Sequence, residues 1–219
     1  MIDIEQRGDV AVVRWRDGEN RFNRASVGRW HEVLDELEAV EGPLAVVVVG
    51  EDRFFSNGLD LDAFAADPDE AAVVVDEVHR LLGRILVFPA FTAFALNGHT
   101  FAGGAMLACG GDVRVMREDR GYWCLPEADL GLPLTPAMFA TVTARLPVAT
   151  AAEAMNTGRR YSAAEALAAG IVEHTAPEAE VLERAVALAA PVATKDRKVI
   201  ARHKLMLFGD AARACGLSI

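Results

Sequence analysis

Phe54-Phe55-Ser56-Asn57-Gly58-Leu59-Asp60-Leu61 and, about forty residues later, Asn97-Gly98-His99-Thr100-Phe101-Ala102-Gly103-Gly104-Ala105-Met106-Leu107-Ala108 are the two stretches whose reading decides the fold. Each follows an apolar run. Leu44–Val49, ended by Gly50, and Phe91–Leu96 are continuously apolar, the mark of parallel strands covered on both faces. Glycine then stands where each strand gives way to a helix. An isolated glycine there serves close packing. Two such turns aimed at one point do more: their unpaired N–H groups can hold an oxygen that becomes negative during a reaction.

Outward from these stretches, strands alternate with helices. Val10–Trp15 reads as an early strand, and Asp17-Gly18-Glu19-Asn20 as the turn after it. Trp30, Val33, Leu34, Leu37 and Val40 recur at helical spacing and predict a helix from about Val27 to Glu41, with Ser26 as N-cap. A second helix uses Val74, Val78, Leu81, Leu82 and Ile85 and stops near Pro89. Val113–Met116 and Tyr122–Leu125 read as short strands around an Asp119-Arg120-Gly121 turn. The remainder reads as helical: Pro136–Leu146, Ala149–Thr157, Ala163–Ala169 capped by Gly170, Glu178–Ala190 and Lys195–Phe208. The expected class is α/β with a helical C-terminal section.

Composition bounds the function. The 219 residues, 52% hydrophobic, suffice for one domain with a substantial core. A net charge of −10 argues against a nucleic-acid partner, which requires a basic surface, while leaving room for local basic clusters that bind a small anion. Lysine is confined to Lys195, Lys198 and Lys204, so arginine is the expected phosphate ligand. Cys109, Cys124 and Cys215 are too scattered for a disulfide framework or a metal site, which fits a reducing, cytoplasmic setting. The N-terminus lacks the features of a signal peptide. Pro89–Gly111 carries no charge, but Asn97-Gly98-His99 at its centre predicts strand, turn and buried helix in place of a membrane span.

The first quoted stretch resembles the F-S-x-G-x-D-L signature of the crotonase (enoyl-CoA hydratase/isomerase) superfamily. The second, continuing through Cys109-Gly110-Gly111-Asp112-Val113-Arg114, resembles its N-G-x-x-x-G-G-x-x-x-L-A-x-x-x-D block. The likeness runs from roughly Ile2 to Thr175. It implies a crotonase-like spiral of β-β-α units, with residues 1–190 as core and 191–219 as a C-terminal helix that is short for the family. It also implies a homo-oligomer, trimer or hexamer, acting on an acyl-CoA thioester. Coenzyme A is then part of the substrate, with no separate cofactor or metal.

Motif position assigns the oxyanion donors to the N–H groups of Leu59 and Gly103, beside Asn57 and Gly58 at the CoA thioester. Arg53, just before the first signature, and Arg21, at the N-terminal strand-to-helix junction, match the family's CoA-binding basic residues. Hydratases of the family use two Glu. The first position holds Met106, which exchanges no proton. The second is Glu127, in Leu125-Pro126-Glu127-Ala128-Asp129-Leu130-Gly131.

One carboxylate suits movement of a double bond, whereas hydration divides naturally between two. Enoyl-CoA delta isomerases likewise carry an apolar residue at the first position. The segments Met116–Tyr122 and Glu127–Pro133 resemble plant and bacterial isomerases of this type. The expected reaction is therefore isomerisation of a βγ- to an αβ-unsaturated acyl-CoA, with Glu127 as proton shuttle, its pKa raised by burial near Trp123, Leu125 and Leu132. The alternatives are an enoyl-CoA hydratase and a non-catalytic acyl-CoA-binding paralogue.

Asp129 is the fallback acid. Asp60 and Asp112 read as structural, bonding nearby backbone N–H groups. His99 reads as a hydrogen-bonded packing histidine. Phe64, Val74, Leu82 and Phe139 are candidates to line an acyl tunnel, but their helical spacing favours core packing. Ser26, Ser56, Ser162 and Ser218 form no G-x-S-x-G elbow, which argues against serine hydrolysis.

Overall fold

The computed structural model describes Met1–Ile219. Strands β1 (Ile2–Arg7) and β2 (Val10–Trp15) form an antiparallel hairpin, followed by β3 (Arg21–Phe22) and helix α1 (Arg24–Glu38). The next unit is β4 (Ala45–Val49), β5 (Phe54–Ser56) and β6 (Gly58–Leu59), then α2 (Leu61–Ala66) and α3 (Pro68–Leu86). A third is β7 (Phe91–Leu96), β8 (His99–Phe101) and α4 (Gly103–Cys109); a fourth is β9 (Val113–Arg117), β10 (Trp123–Cys124) and α5 (Glu127–Leu130). Helices α6 (Pro136–Thr143), α7 (Val148–Thr157) and α8 (Ala163–Ala168) lead to β11 (His174–Ala176). The chain closes with α9 (Val181–Ala193) and α10 (Arg197–Ala214).

The second, third and fourth units each send their first strand to a six-stranded sheet of order β1-β2-β4-β7-β9-β11 and their second to a smaller sheet of order β10-β8-β5, while the first unit gives β1 and β2 to the large sheet and β3 pairs with β6 in a two-stranded sheet. All pairings except β1 with β2 are parallel. Successive units therefore lie side by side, in the spiral of β-β-α units that the family resemblance implies.

The large sheet is covered on both faces, which explains its uninterrupted valines. Val46, Val48, Phe94 and Leu96 face one core with Trp15, Trp30 and the apolar side of α3. Val47, Val49, Ala93 and Ala95 face the other, against Val181, Ala185, Ala189 and Ala193 of α9. Those four recur every fourth residue, and three are alanines, so α9 presents one narrow face to the sheet. It runs through positions 190 and 191 as one helix. Farther on, the buried Lys204 ammonium of α10 meets Asp112 Oδ2 at 2.8 Å, fastening the last helix to the end of the sheet.

Several expectations are corrected. Helix α1 begins at Arg24, and its N-cap is Asn23, not Ser26. The Asn23 carboxamide accepts from the Ser26 N–H at 3.0 Å, while Ser26 Oγ accepts from the Asn23 N–H at 2.9 Å, a reciprocal capping box. The C-terminal section is not wholly helical, because β11 pairs with β9 and extends the sheet. The loop after Leu125 contains α5, ended by Gly131 at φ +68°.

Candidate active site

The small sheet builds the site. β8 lies between β5 and β10, with Phe54 opposite His99 and Cys124 opposite Phe101. The C-terminal ends of these strands lead to Gly58, Gly103 and Glu127. Three strand-to-helix junctions from three successive units thus arrive along one edge, with neighbouring strands about 4.8 Å apart.

Gly58 and Gly103 are in close approach. A Cβ on Gly58, whose φ is +81°, would lie 2.6 Å from Ala102 Cβ and 2.9 Å from Gly103 N. Gly104 backs onto Ser56, where a Cβ would come within 2.6 Å of the serine Cβ. Phe22 pairs with Leu59, and its carbonyl accepts from the Asp60 N–H at 3.0 Å. In a parallel ladder the bonds go to residues flanking the opposed one, so the Leu59 N–H is turned away from β3. Gly103 opens α4, where first-turn N–H groups have no intrahelical acceptor. Just before it, Ala102 sits at φ +51°, ψ −124°, a conformation that a side chain rarely adopts. Strain at this N-cap fits a functional constraint on the donors it aims.

The first junction is held from below by Asn20, a buried residue that the sequence reading placed only in a turn. Its Nδ2 donates to the carbonyls of Trp15 and Phe55 at 2.8 and 3.0 Å, and its own carbonyl accepts from Ser56 Oγ at 2.7 Å. A buried polar residue in a turn could have signalled this, but only the fold shows the partners.

Glu127 is the first residue of α5. Its Oε2 is buried without a hydrogen-bond partner, and burial pushes its pKa from 4.5 up to about 7. It opens onto a cavity of about 640 Å³ whose walls include Leu132, Leu134, Phe139, Ala152 and Met155. Leu59 and Gly103 are not among the walls of that cavity; the two parts of the site meet through the β8–β10 pairing. Met106 is fully buried in the core. Phe139 is half exposed and lines the cavity, contrary to its reading as core, whereas Val74 and Leu82 are buried as read.

Other residues sort by what they touch. Asp60 caps α2 and Asp112 accepts from the Thr92 N–H at 2.8 Å, both structural roles. Asp129 is exposed. His99 packs among Phe54, Phe101 and Tyr122, but its buried Nδ1 has no partner, so the expected hydrogen bond is absent. Arg21 is held by Glu19, Asp60 and Asp62, which satisfy its charge and raise its pKa. Arg53 is exposed, has no acidic partner and lies 6.0 Å from the Phe54 ring centre. Of the two arginines, Arg53 is free to meet a phosphate. The Asn57 carboxamide is likewise engaged, donating to Glu19 Oε2 at 2.9 Å. No group of three His, Cys, Asp or Glu side chains is placed to hold a metal ion, and no helix is long and apolar enough to cross a membrane.

The spiral with these junctions defines a crotonase fold. The family model for enoyl-CoA hydratase/isomerase matches residues 5–213. The chain belongs to that family and is an enzyme of it. It is 30% identical over 230 residues to enoyl-CoA delta isomerase 3 of Arabidopsis thaliana, covering all of this chain and 96% of the relative. It is 36% identical over 203 residues to a putative enoyl-CoA hydratase of Thermus thermophilus, covering 88% and 78% of the two chains. Among solved structures, a probable enoyl-CoA hydratase of Mycobacterium tuberculosis superposes with a TM-score of 0.91 at 25% identity, covering 98% of this chain and 91% of that one.

Proposed function

We propose that this enzyme moves a βγ double bond of an acyl-CoA to the αβ position. The observation that carries the reading is Glu127: a single buried carboxyl, unpaired at Oε2 and poised near neutrality, with methionine where a hydratase needs its other acid. The N–H groups of Leu59 and Gly103 would donate to the thioester oxygen as it gains enolate charge. The Glu127 carboxylate takes a proton from the carbon next to the thioester and returns it two carbons farther along. A group that titrates near the working pH is suited to both transfers. Relatives named as isomerases support the reading, and those named as hydratases make hydration the alternative. The unpaired Arg53 fits a CoA phosphate. The reading takes the enzyme as a homo-oligomer, trimer or hexamer, as the family resemblance implies, and requires no cofactor beyond the CoA of the substrate.

The test supplies βγ- and αβ-enoyl-CoA separately to wild type and Glu127→Gln and resolves the products. Isomerisation without hydrated product is expected, with kcat/KM rising with pH as Glu127 deprotonates near 7 and falling about 10²- to 10⁴-fold in the variant. Hydration of the αβ substrate, or full activity without the carboxyl, would overturn the mechanism.

A further inference from the structure

The junctions at Gly58 and Gly103 share one side chain, Ser56, the last residue of β5 and fully buried. Its Oγ donates to the Asn20 carbonyl at 2.7 Å and accepts from the Gly58 N–H at 3.2 Å. One hydroxyl thus spends its proton on one stretch of backbone and a lone pair on another. The turn that carries Asn20 is itself fixed. The Asn20 side chain accepts from the Asp17 N–H at 2.8 Å, and the Glu19 carbonyl accepts from the Asn57 N–H at 2.9 Å.

Beyond Asn57, the Gly58 N–H is taken by Ser56 Oγ and the Asp60 N–H by the Phe22 carbonyl. The Leu59 N–H belongs to the peptide plane between those two pinned planes. Gly58, at φ +81°, is the pivot of that plane, and glycine offers little steric resistance to its rotation. The Ser56 hydroxyl therefore supplies a restraint that the Gly58 backbone lacks, and it keeps the Gly58 N–H from competing for the substrate.

The same side chain sets the spacing of the second junction. A Cβ on Gly104 would lie 2.6 Å from Ser56 Cβ and 2.7 Å from its Oγ, so the start of α4 rests directly on it. On the other side, a Cβ on Gly58 would lie 2.9 Å from Gly103 N. Ser56, Gly58, Gly103 and Gly104 form a closed set of contacts, and a shift of Ser56 displaces both junctions.

Resting on the isomerase reading, we propose that Ser56 is a positioning residue for both oxyanion donors: its hydroxyl fixes the plane that carries the Leu59 N–H, and its contact with Gly104 sets the distance of the Gly103 N–H. Ser56 acts through the backbone and touches no substrate atom. Donors already aimed at one point need no reorganisation as charge develops on the thioester oxygen.

The test compares wild type with Ser56→Ala, which keeps the Cβ and removes the hydroxyl, and with Gly104→Ala, whose new Cβ would press on Ser56. For each protein, kcat and KM are measured with a βγ-enoyl-CoA. Affinity is measured for a 3-ketoacyl-CoA, whose acidic α carbon lets it bind as an enolate with its own ultraviolet absorbance, and for the saturated acyl-CoA of the same length, which develops no such charge. Misaimed donors should lower kcat by about 10- to 100-fold with KM within about threefold, the pattern of an interaction made only in the transition state. Enolate absorbance and 3-ketoacyl affinity should fall with kcat in both variants, while the saturated acyl-CoA binds as tightly as in wild type. Unchanged kcat and enolate absorbance in either folded variant, or equal losses for both ligands, would overturn the proposal. Should neither variant fold, amide exchange in wild type decides: the Gly58 N–H is expected to be protected and the Leu59 N–H to exchange readily, and fast exchange at Gly58 refutes the role of the hydroxyl. If wild type isomerises no βγ substrate, the isomerase reading fails by itself and the enolate comparison still judges Ser56. Absence of enolate in wild type would refute the donors and Ser56 together.

Discussion

Replacing Glu127 by glutamine should lower kcat/KM by about 10²- to 10⁴-fold while making the fold less sensitive to rising pH. Burial raises the carboxyl pKa from 4.5 to about 7, so between those values the folded protein holds a proton that the unfolded chain releases. Stability falls with pH wherever the folded state binds more protons. The wild type therefore loses stability on going from pH 4.5 towards 7, and below 4.5 the two states are protonated alike. At 1.36 kcal/mol per pKa unit the loss is about 3 kcal/mol. Glutamine does not titrate. The stability of the variant relative to wild type should thus rise by about 3 kcal/mol between pH 4.5 and 8, whatever offset the amide introduces at low pH. Urea unfolding of both proteins at pH 4.5, 5.5, 6.5, 7.5 and 8 measures this difference. A flat difference, or one that falls with pH, would refute the claim that desolvation dominates at Glu127.

The other predictions use the rest of the site. Gly58→Ala should lower kcat by about 10²- to 10³-fold, because its Cβ would press on Ala102 and Gly103 N and displace one oxyanion donor; retained activity in steady-state kinetics would count against that hole. Arg53→Ala should raise KM for acyl-CoA several-fold with stability within about 0.5 kcal/mol of wild type. Arg21→Ala should instead cost about 1 kcal/mol in urea unfolding by freeing three acidic neighbours, with KM little changed; a KM effect from Arg21 alone would reverse the assignment. Met106→Glu should destabilise the protein relative to wild type more at pH 8 than at pH 5, since the new carboxylate would be charged in a fully buried position; an equal cost at both values would show that the position can be hydrated.

What the sequence determined is what local chemistry and sterics determine. The valine run of β4 and the apolar β7 could only be strands covered twice, and glycine at positions 58 and 103 marked where backbone had to come close. The methionine at 106, where the family's hydratases carry an acid, and the glutamate at 127 were legible only through the family resemblance. Helix ends were less so, since Asn23 and Ser26 each have capping chemistry and only their mutual hydrogen bonds show which is N-cap. The tertiary structure decided what depends on distant partners: that β11 would join the sheet, that Arg21 would be neutralised by three carboxylates while Arg53 stayed free, and that Phe139 would face a cavity. It also decided that Glu127 would be desolvated. A carboxyl on a short helix carries no mark in sequence of whether water reaches it, because its burial depends on elements distant in the chain, such as α7, that pack against its turn.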